Sequence, residues 1–137
     1  MILESSALID QPRSLQRPRV VIVEDDPALL SALQFSLEAE GYDVRAFSVQ
    51  TELLSQREVF LGASCLVLDY RQSPLDGLEL YAMLDGLGLK APAILMTSHP
   101  DDQCRRGARG LGVKIVEKPL LSDDLSRVIG ELVVLHA

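Results

Sequence analysis

A chain of 137 residues has the material for one domain around a packed core. With 47% hydrophobic and 24% charged residues it falls with soluble globular proteins and away from disordered or fibrous ones. Thirteen basic against twenty acidic residues leave a net charge of −7, which speaks against a broad nucleic-acid-binding face while leaving open a small basic patch at Arg105, Arg106 and Arg109.

Residues 1–18 hold Pro12 and Pro18 without clear periodicity. They are expected to form a flexible arm, with a short amphipathic turn at Ile2, Leu3, Leu8 and Ile9, ahead of a domain over 19–137. This start lacks the basic residues and continuous apolar segment of a secretory signal. No stretch approaches the roughly 20 apolar residues that span a bilayer, so no membrane association is expected. Of the two cysteines, Cys65 lies in an apolar run and Cys104 in a polar one. They make neither a metal-ligand pattern nor a disulfide framework, and a reducing cytoplasm is the expected compartment.

From Arg19 onward short apolar runs alternate with helical patterns. The first strand is predicted at 19–24, where Val20-Val21-Ile22-Val23 runs into Glu24-Asp25-Asp26. Asp26-Pro27 then opens a helix, Asp as N-cap and Pro at the first helical position. Leu29, Leu33 and Leu37 recur at helical spacing, Leu30 widens the stripe and Gly41 ends it. A second strand at 42–47 alternates Tyr42, Val44 and Ala46 with Asp43 and Arg45, and a less regular helical segment follows at 51–61. Cys65-Leu66-Val67-Leu68 closes on Asp69 in a strand at 64–69, before a helix at 77–86. Ala93-Ile94-Leu95-Met96 closes on Thr97 in a strand at 93–97, before a helix at about 101–110. The fifth strand, 113–116, leads into Lys118-Pro119. In the last helix, 122–135 with Ser122 as its cap, Leu125, Val128, Ile129 and Leu132 follow the i, i+3, i+4, i+7 pattern.

Five repeats of strand then helix predict an α/β fold of the doubly wound, flavodoxin-like class. Its sheet is parallel and five-stranded, with right-handed crossovers and helices on both faces. The first, third and fourth strands are nearly continuous in apolar residues, as strands covered on both faces are. With strand order 2-1-3-4-5 the functional crevice opens beyond the carboxyl ends of strands one and three. Those are the strands that end in Glu24-Asp25 and in Asp69. Charges beside an apolar core are costly unless paired, solvated or metal-bound. Carboxylates and the Lys118 ammonium brought to one spot would suit a hard cation and a phosphoryl group. Taken singly, these residues have plainer readings: Asp26 as a helix cap, Lys118 as a turn lysine, Thr97 as a β-branched strand end.

The order and spacing of the acidic pair, the aspartate, the threonine and Lys-Pro resemble the receiver domain of two-component response regulators, the CheY-like superfamily. The motifs are Val-Ile-Val-Glu24-Asp25-Asp26-Pro27, Leu-Val-Leu-Asp69 followed eight residues on by Gly77, Met96-Thr97-Ser98 and Glu117-Lys118-Pro119. The resemblance covers 19–135. It implies that Asp69 is the phosphoacceptor and that Mg²⁺ is held by Asp25, by Glu24 through water, by Asp69 and by the backbone carbonyl of Arg71. Thr97 would hydrogen-bond a phosphoryl oxygen, helped by the Ser98 backbone N–H, and Lys118 would pair with the phosphoryl charge. Such a domain catalyses its own phosphoryl transfer without being a classical enzyme. The implied partners are a histidine kinase or histidine phosphotransfer protein and a downstream protein target or effector domain. The fourth helix, fifth strand and fifth helix would form the output face, with a homodimer possible there. No helix-turn-helix is present, so nucleic acid is not an expected partner of this chain.

The chain departs from that pattern in three places. The family's loop proline, four residues after the phosphoacceptor, is replaced by Ser73, with Pro74 one position later. Proline fixes φ at its own position only, so the Arg71 carbonyl is expected to shift. The switch aromatic is replaced by Ile115, which has no hydroxyl to swing beside Thr97; simple packing is its plainer reading. Thr97 and Lys118 stand 21 residues apart, one fewer than usual, with Gly107, Gly110 and Gly112 between them. A short or partly unwound fourth helix is therefore predicted. Arg71 and His99, each two residues past a site residue, read either as solvated loop side chains or as controls on water access to the acyl phosphate. Two readings of function result: a phosphorylatable receiver, and a receiver-like interaction module that works without phosphate. A flavin-binding protein on the same fold is disfavoured, because the acidic turn after strand one would repel a cofactor phosphate.

Overall fold

The computed structural model describes residues 17–119 and 123–135. Five strands, β1 (Arg19–Val23), β2 (Asp43–Phe47), β3 (Cys65–Asp69), β4 (Ala93–Thr97) and β5 (Lys114–Glu117), form one sheet of order β2-β1-β3-β4-β5. Every neighbouring pair is parallel. The order and the strand positions are those expected, to within one residue at each end. The expected arm lies outside the described residues except for Arg17 and Pro18, as does the Ser122 cap.

Side-chain alternation along the strands builds two apolar layers. Val21, Val23, Leu66, Leu68 and Leu95 face one side; Val20, Ile22, Cys65, Val67, Ile94 and Met96 face the other. On the second side pack α1 (Pro27–Ala39) and α6 (Asp124–Leu135), through Leu33, Leu37, Leu125, Ile129 and Leu132. On the first side lie α2 (Gln50–Leu54), α3 (Arg57–Leu61), α4 (Gly77–Gly86) and α5 (Asp102–Leu111), through Leu53, Phe60, Leu80, Leu84, Cys104 and Ala108. Each of these leucine, isoleucine and phenylalanine side chains, once buried, contributes about 1.5–3 kcal/mol relative to exposure. Burial from both sides is what the continuous apolar runs of β1, β3 and β4 required.

The entry to α1 forms as its sequence implies. Asp26 is extended and its Oδ1 accepts the N–H groups of Ala28 and Leu29 at 3.0 and 3.4 Å, with Pro27 beginning the helix. Two helical segments differ from expectation. The stretch 51–61 is two single-turn helices, because Gln56 leaves helical geometry at φ −117°, ψ 69° and the Ser55 hydroxyl bonds back to the Glu52 carbonyl at 2.8 Å. The fourth helix of the expected pattern, α5, is neither short nor unwound: it runs unbroken for ten residues. Asp101 caps it by accepting the Cys104 N–H at 2.8 Å. Gly112, at φ +70°, closes it in the left-handed region that glycine adopts without strain. A cap contributes about 1 kcal/mol, comparable to one helical glycine's cost. Gly107 also has a packing role, since a Cβ there would lie 2.8 Å from Leu78 Cδ1 of α4.

Candidate functional site

The carboxyl ends of β1 and β3 are adjacent, with Val23 opposite Leu68. Glu24 is one residue past β1 and is pinned there by its N–H to the Phe47 carbonyl at 3.0 Å. Asp69 ends β3, and its neighbour Tyr70 donates its N–H to the Met96 carbonyl at 2.9 Å. Thr97 ends β4, and its carbonyl accepts the Lys118 N–H at 2.9 Å. The sheet register thus delivers four polar side chains to one end of the molecule. Asp25, on the turn into α1, stands exposed beside them.

Glu24, Asp69 and Thr97 are each at most 6% exposed, a degree of burial that polar groups tolerate only with partners. Lys118 Nζ donates to Glu24 Oε1 at 2.7 Å and to Asp69 Oδ1 at 3.3 Å. Glu24 Oε2 accepts the Asp26 N–H at 3.1 Å. Burial pushes the Glu24 carboxyl above the usual range, opposed by the Lys118 and Asp26 hydrogen bonds and reinforced by the nearby Asp69 charge. Burial also disfavours the Lys118 ammonium, but its bond to Glu24 and the field of Asp69 outweigh that and hold it above its ordinary value. The lysine is therefore a firm cation.

Carboxylate oxygens of Glu24, Asp25 and Asp69 lie within 4.8 Å of one another. One ammonium against three ionised carboxylates leaves a charge of about −2, which a divalent cation would neutralise. An all-oxygen donor set with open sides suits Mg²⁺, which keeps several of its waters. The Thr97 hydroxyl is buried without a hydrogen-bond partner. An orphaned buried hydroxyl costs about 1–3 kcal/mol unless a ligand satisfies it. The residues present thus fit a hard cation together with an anion.

The other predicted residues stand at the periphery. Arg71 is exposed, with its guanidinium 5.8 Å above the Tyr70 ring. It lines an open depression with Asp25, Tyr70, Gln72, Ser73 and Asp76. His99 is exposed on the bend after β4. Ile115 is half-buried on β5 against the core that α5 covers. Sequence reading missed Gln50, which is 3% exposed and bonded to the loop that follows Asp69. No periodicity marks a lone glutamine between Val49 and Thr51.

Comparison with known proteins agrees with this geometry. The family model of the response regulator receiver domain matches residues 20–130. The transcriptional regulatory protein FixJ of Bradyrhizobium diazoefficiens is 32% identical over 111 residues, covering 80% of this chain and 54% of that protein. The tetrathionate response regulatory protein TtrR of Salmonella typhimurium is 31% identical over 104 residues, covering 72% and 48%. The chain spans about half the length of these curated relatives. Among solved structures, the crystal structure of FixJ-N superposes with a TM-score of 0.75 at 27% identity, over 90% of this chain and 98% of that one. A CheY-like receiver domain protein from Methanospirillum hungatei gives a TM-score of 0.80 at 24% identity, covering 88% and 97%, and shares the fold. Sheet order, the clustered carboxylates and the match over residues 20–130 converge on one conclusion: the chain belongs to the response regulator receiver domain family.

Proposed function

We propose that this chain is a phosphorylatable receiver. Asp69 accepts a phosphoryl group from the phosphohistidine of a histidine kinase or histidine phosphotransfer protein, and the signal passes to a protein target or effector domain. The observation that carries the reading is the convergence of Glu24, Asp25, Asp69 and Lys118 around the unpartnered Thr97 hydroxyl.

A carboxylate oxygen of Asp69 attacks phosphorus as the P–N bond to the donor imidazole breaks. The imidazole nitrogen leaves with the bonding electrons and takes up a proton, and an aspartyl phosphate remains. Lys118, already 3.3 Å from Asp69 Oδ1, counters the charge on the phosphoryl oxygens, and the Thr97 hydroxyl donates to one of them. Glu24, Asp25, Asp69 and the Arg71 carbonyl would hold Mg²⁺, which supplies further neutralisation of those oxygens when bound. Arg71 and His99, exposed on the two loops that follow β3 and β4, would set how readily water reaches the acyl phosphate. The output face is α5, β5 and α6, which also offers a self-association surface. A cytoplasmic setting goes with the two free, buried thiols Cys65 and Cys104. Among the described residues no helix is long and apolar enough to cross a membrane.

A second reading, an interaction module that works without phosphate, draws on Ile115, whose aliphatic side chain packs in the core where a switch residue would move. Intact-mass measurement after incubation with acetyl phosphate and Mg²⁺ separates the two. The receiver reading expects one added phosphoryl group on wild type and none on Asp69→Asn. An unmodified wild type, or equal modification of both proteins, favours the second reading.

A further inference from the structure

Gln50 begins α2, yet only 3% of it is exposed, an unusual place for a primary amide. The loop after β3 engages both donors of this amide and its carbonyl oxygen. Its Nε2 donates to Gln72 Oε1 at 2.8 Å and to the Leu75 carbonyl at 2.6 Å. Its Oε1 accepts the Leu75 N–H at 3.3 Å. Gln72 Nε2 in turn donates to the Asp69 carbonyl at 2.6 Å. A line of amides therefore runs from the start of α2 to the backbone of Asp69, and it brackets Ser73 and Pro74. Pro74 fixes φ at its own position only; the amides hold the residues on either side of it. The same loop is packed from beneath, because a Cβ on Gly77 would stand 2.6 Å from the Asp69 carbonyl oxygen.

We propose that Gln50 is a positioning residue for phosphoryl transfer. Through Gln72 and Leu75 it fixes the backbone of residues 70–76, and with it the Arg71 carbonyl and the affinity of the site for Mg²⁺. A network anchored on a buried amide holds one geometry, since a partner lost by Gln50 leaves a desolvated polar group. Gln72 is bonded to the backbone of Asp69, where an outer partner tunes metal affinity, and Gln50 holds Gln72. The proposal rests on the receiver reading above.

Calorimetric Mg²⁺ titration of the full chain tests it on wild type, Gln50→Leu, Gln72→Leu and the double variant. Each single variant is expected to weaken binding about tenfold. The double variant is expected to lose less than the sum of the two singles, because both remove the bond between Gln50 and Gln72. Phosphorylation by acetyl phosphate should recover toward the wild-type rate once Mg²⁺ is saturating. A role in stability alone would lower the melting temperature and leave Mg²⁺ affinity where it was. Single variants with wild-type affinity, or losses that add in the double variant, overturn the proposal. If Gln50→Leu does not fold, the half-buried Gln72→Leu decides by the same criterion. A wild type that binds no Mg²⁺ fails the receiver reading itself, and the positioning role falls with it.

Discussion

Thr97 shows most plainly how one side chain separates stability from activity. Its hydroxyl is buried with no partner, so it costs folding energy that an anion bound there, as proposed, would return. Thr97→Val keeps the shape and removes the orphan. The variant should be as stable as wild type or more stable by about 1 kcal/mol, while phosphorylation by acetyl phosphate slows about a hundredfold. Melting curves beside a rate measurement check this; a destabilised variant with an unchanged rate would show the hydroxyl to be structural. That Glu24, Asp25, Asp69, Thr97 and Lys118 come together was legible in the sequence because each lies at or just past the end of an apolar run and their joint order and spacing resemble the receiver pattern. Gln50 was not legible, because its partners lie 22 and 25 positions away and no local pattern encodes a meeting at that range. Whether Arg71 and His99 act on water is likewise beyond local pattern, since both sit exposed on loops.

At the scale of elements, glycines divide by what surrounds them. Gly110 lies in α5 with open space at its missing Cβ, whereas a Cβ on Gly77 would press on the backbone of Asp69 at 2.6 Å. Gly110→Ala should stabilise by up to about 1 kcal/mol, and Gly77→Ala should destabilise by about 1–3 kcal/mol. Denaturant titration distinguishes them; equal shifts would mean that helix propensity alone governs both. This contrast also explains why α5 was misjudged from sequence. Propensity counts its glycines but leaves out the local Asp101 cap, and the close approach of Gly107 to α4 is a tertiary fact. The break between α2 and α3 was hidden for a related reason, since the Ser55 hydroxyl competes for a carbonyl in a stretch whose apolar residues continue. Strands were read to within a residue because burial on both faces writes itself as an unbroken apolar run.

The β1–β2 edge offers a separate test. Asp43 accepts from Arg45 Nε at 2.9 Å and from Arg19 Nε at 3.0 Å. The Arg45 bond, with help from Arg19 and against partial burial, holds the Asp43 carboxyl below its usual range. A folded-state pKa below the unfolded value of about 3.9 means stability that is present above that pH and lost as pH falls through the depressed value. Solvent screens this half-exposed pair, so Asp43→Asn should cost no more than about 1 kcal/mol at pH 7. The difference should vanish in strong acid. A cost that persists at low pH would assign the effect to packing rather than charge.

For the whole molecule, the sheet order decides where chemistry is possible. Placing β1 and β3 side by side brings Glu24 and Asp25 to Asp69, and β4 and β5 bring Thr97 and Lys118. Two apolar layers clamp the sheet on both faces, so the polar ends converge on a rigid rim. Alternation of strand and helix made the parallel sheet with helices on both faces readable, the strand order came with the expected fold class, and the comparisons place the chain in the receiver family. If these strand ends assemble one cation site, the site must show itself in metal binding. Calorimetric titration with Mg²⁺ of wild type and Asp25→Asn tests it most directly. One ion per wild-type chain and at least about tenfold weaker binding by the variant is the predicted result. No binding by wild type, or the same affinity in both proteins, would contradict it.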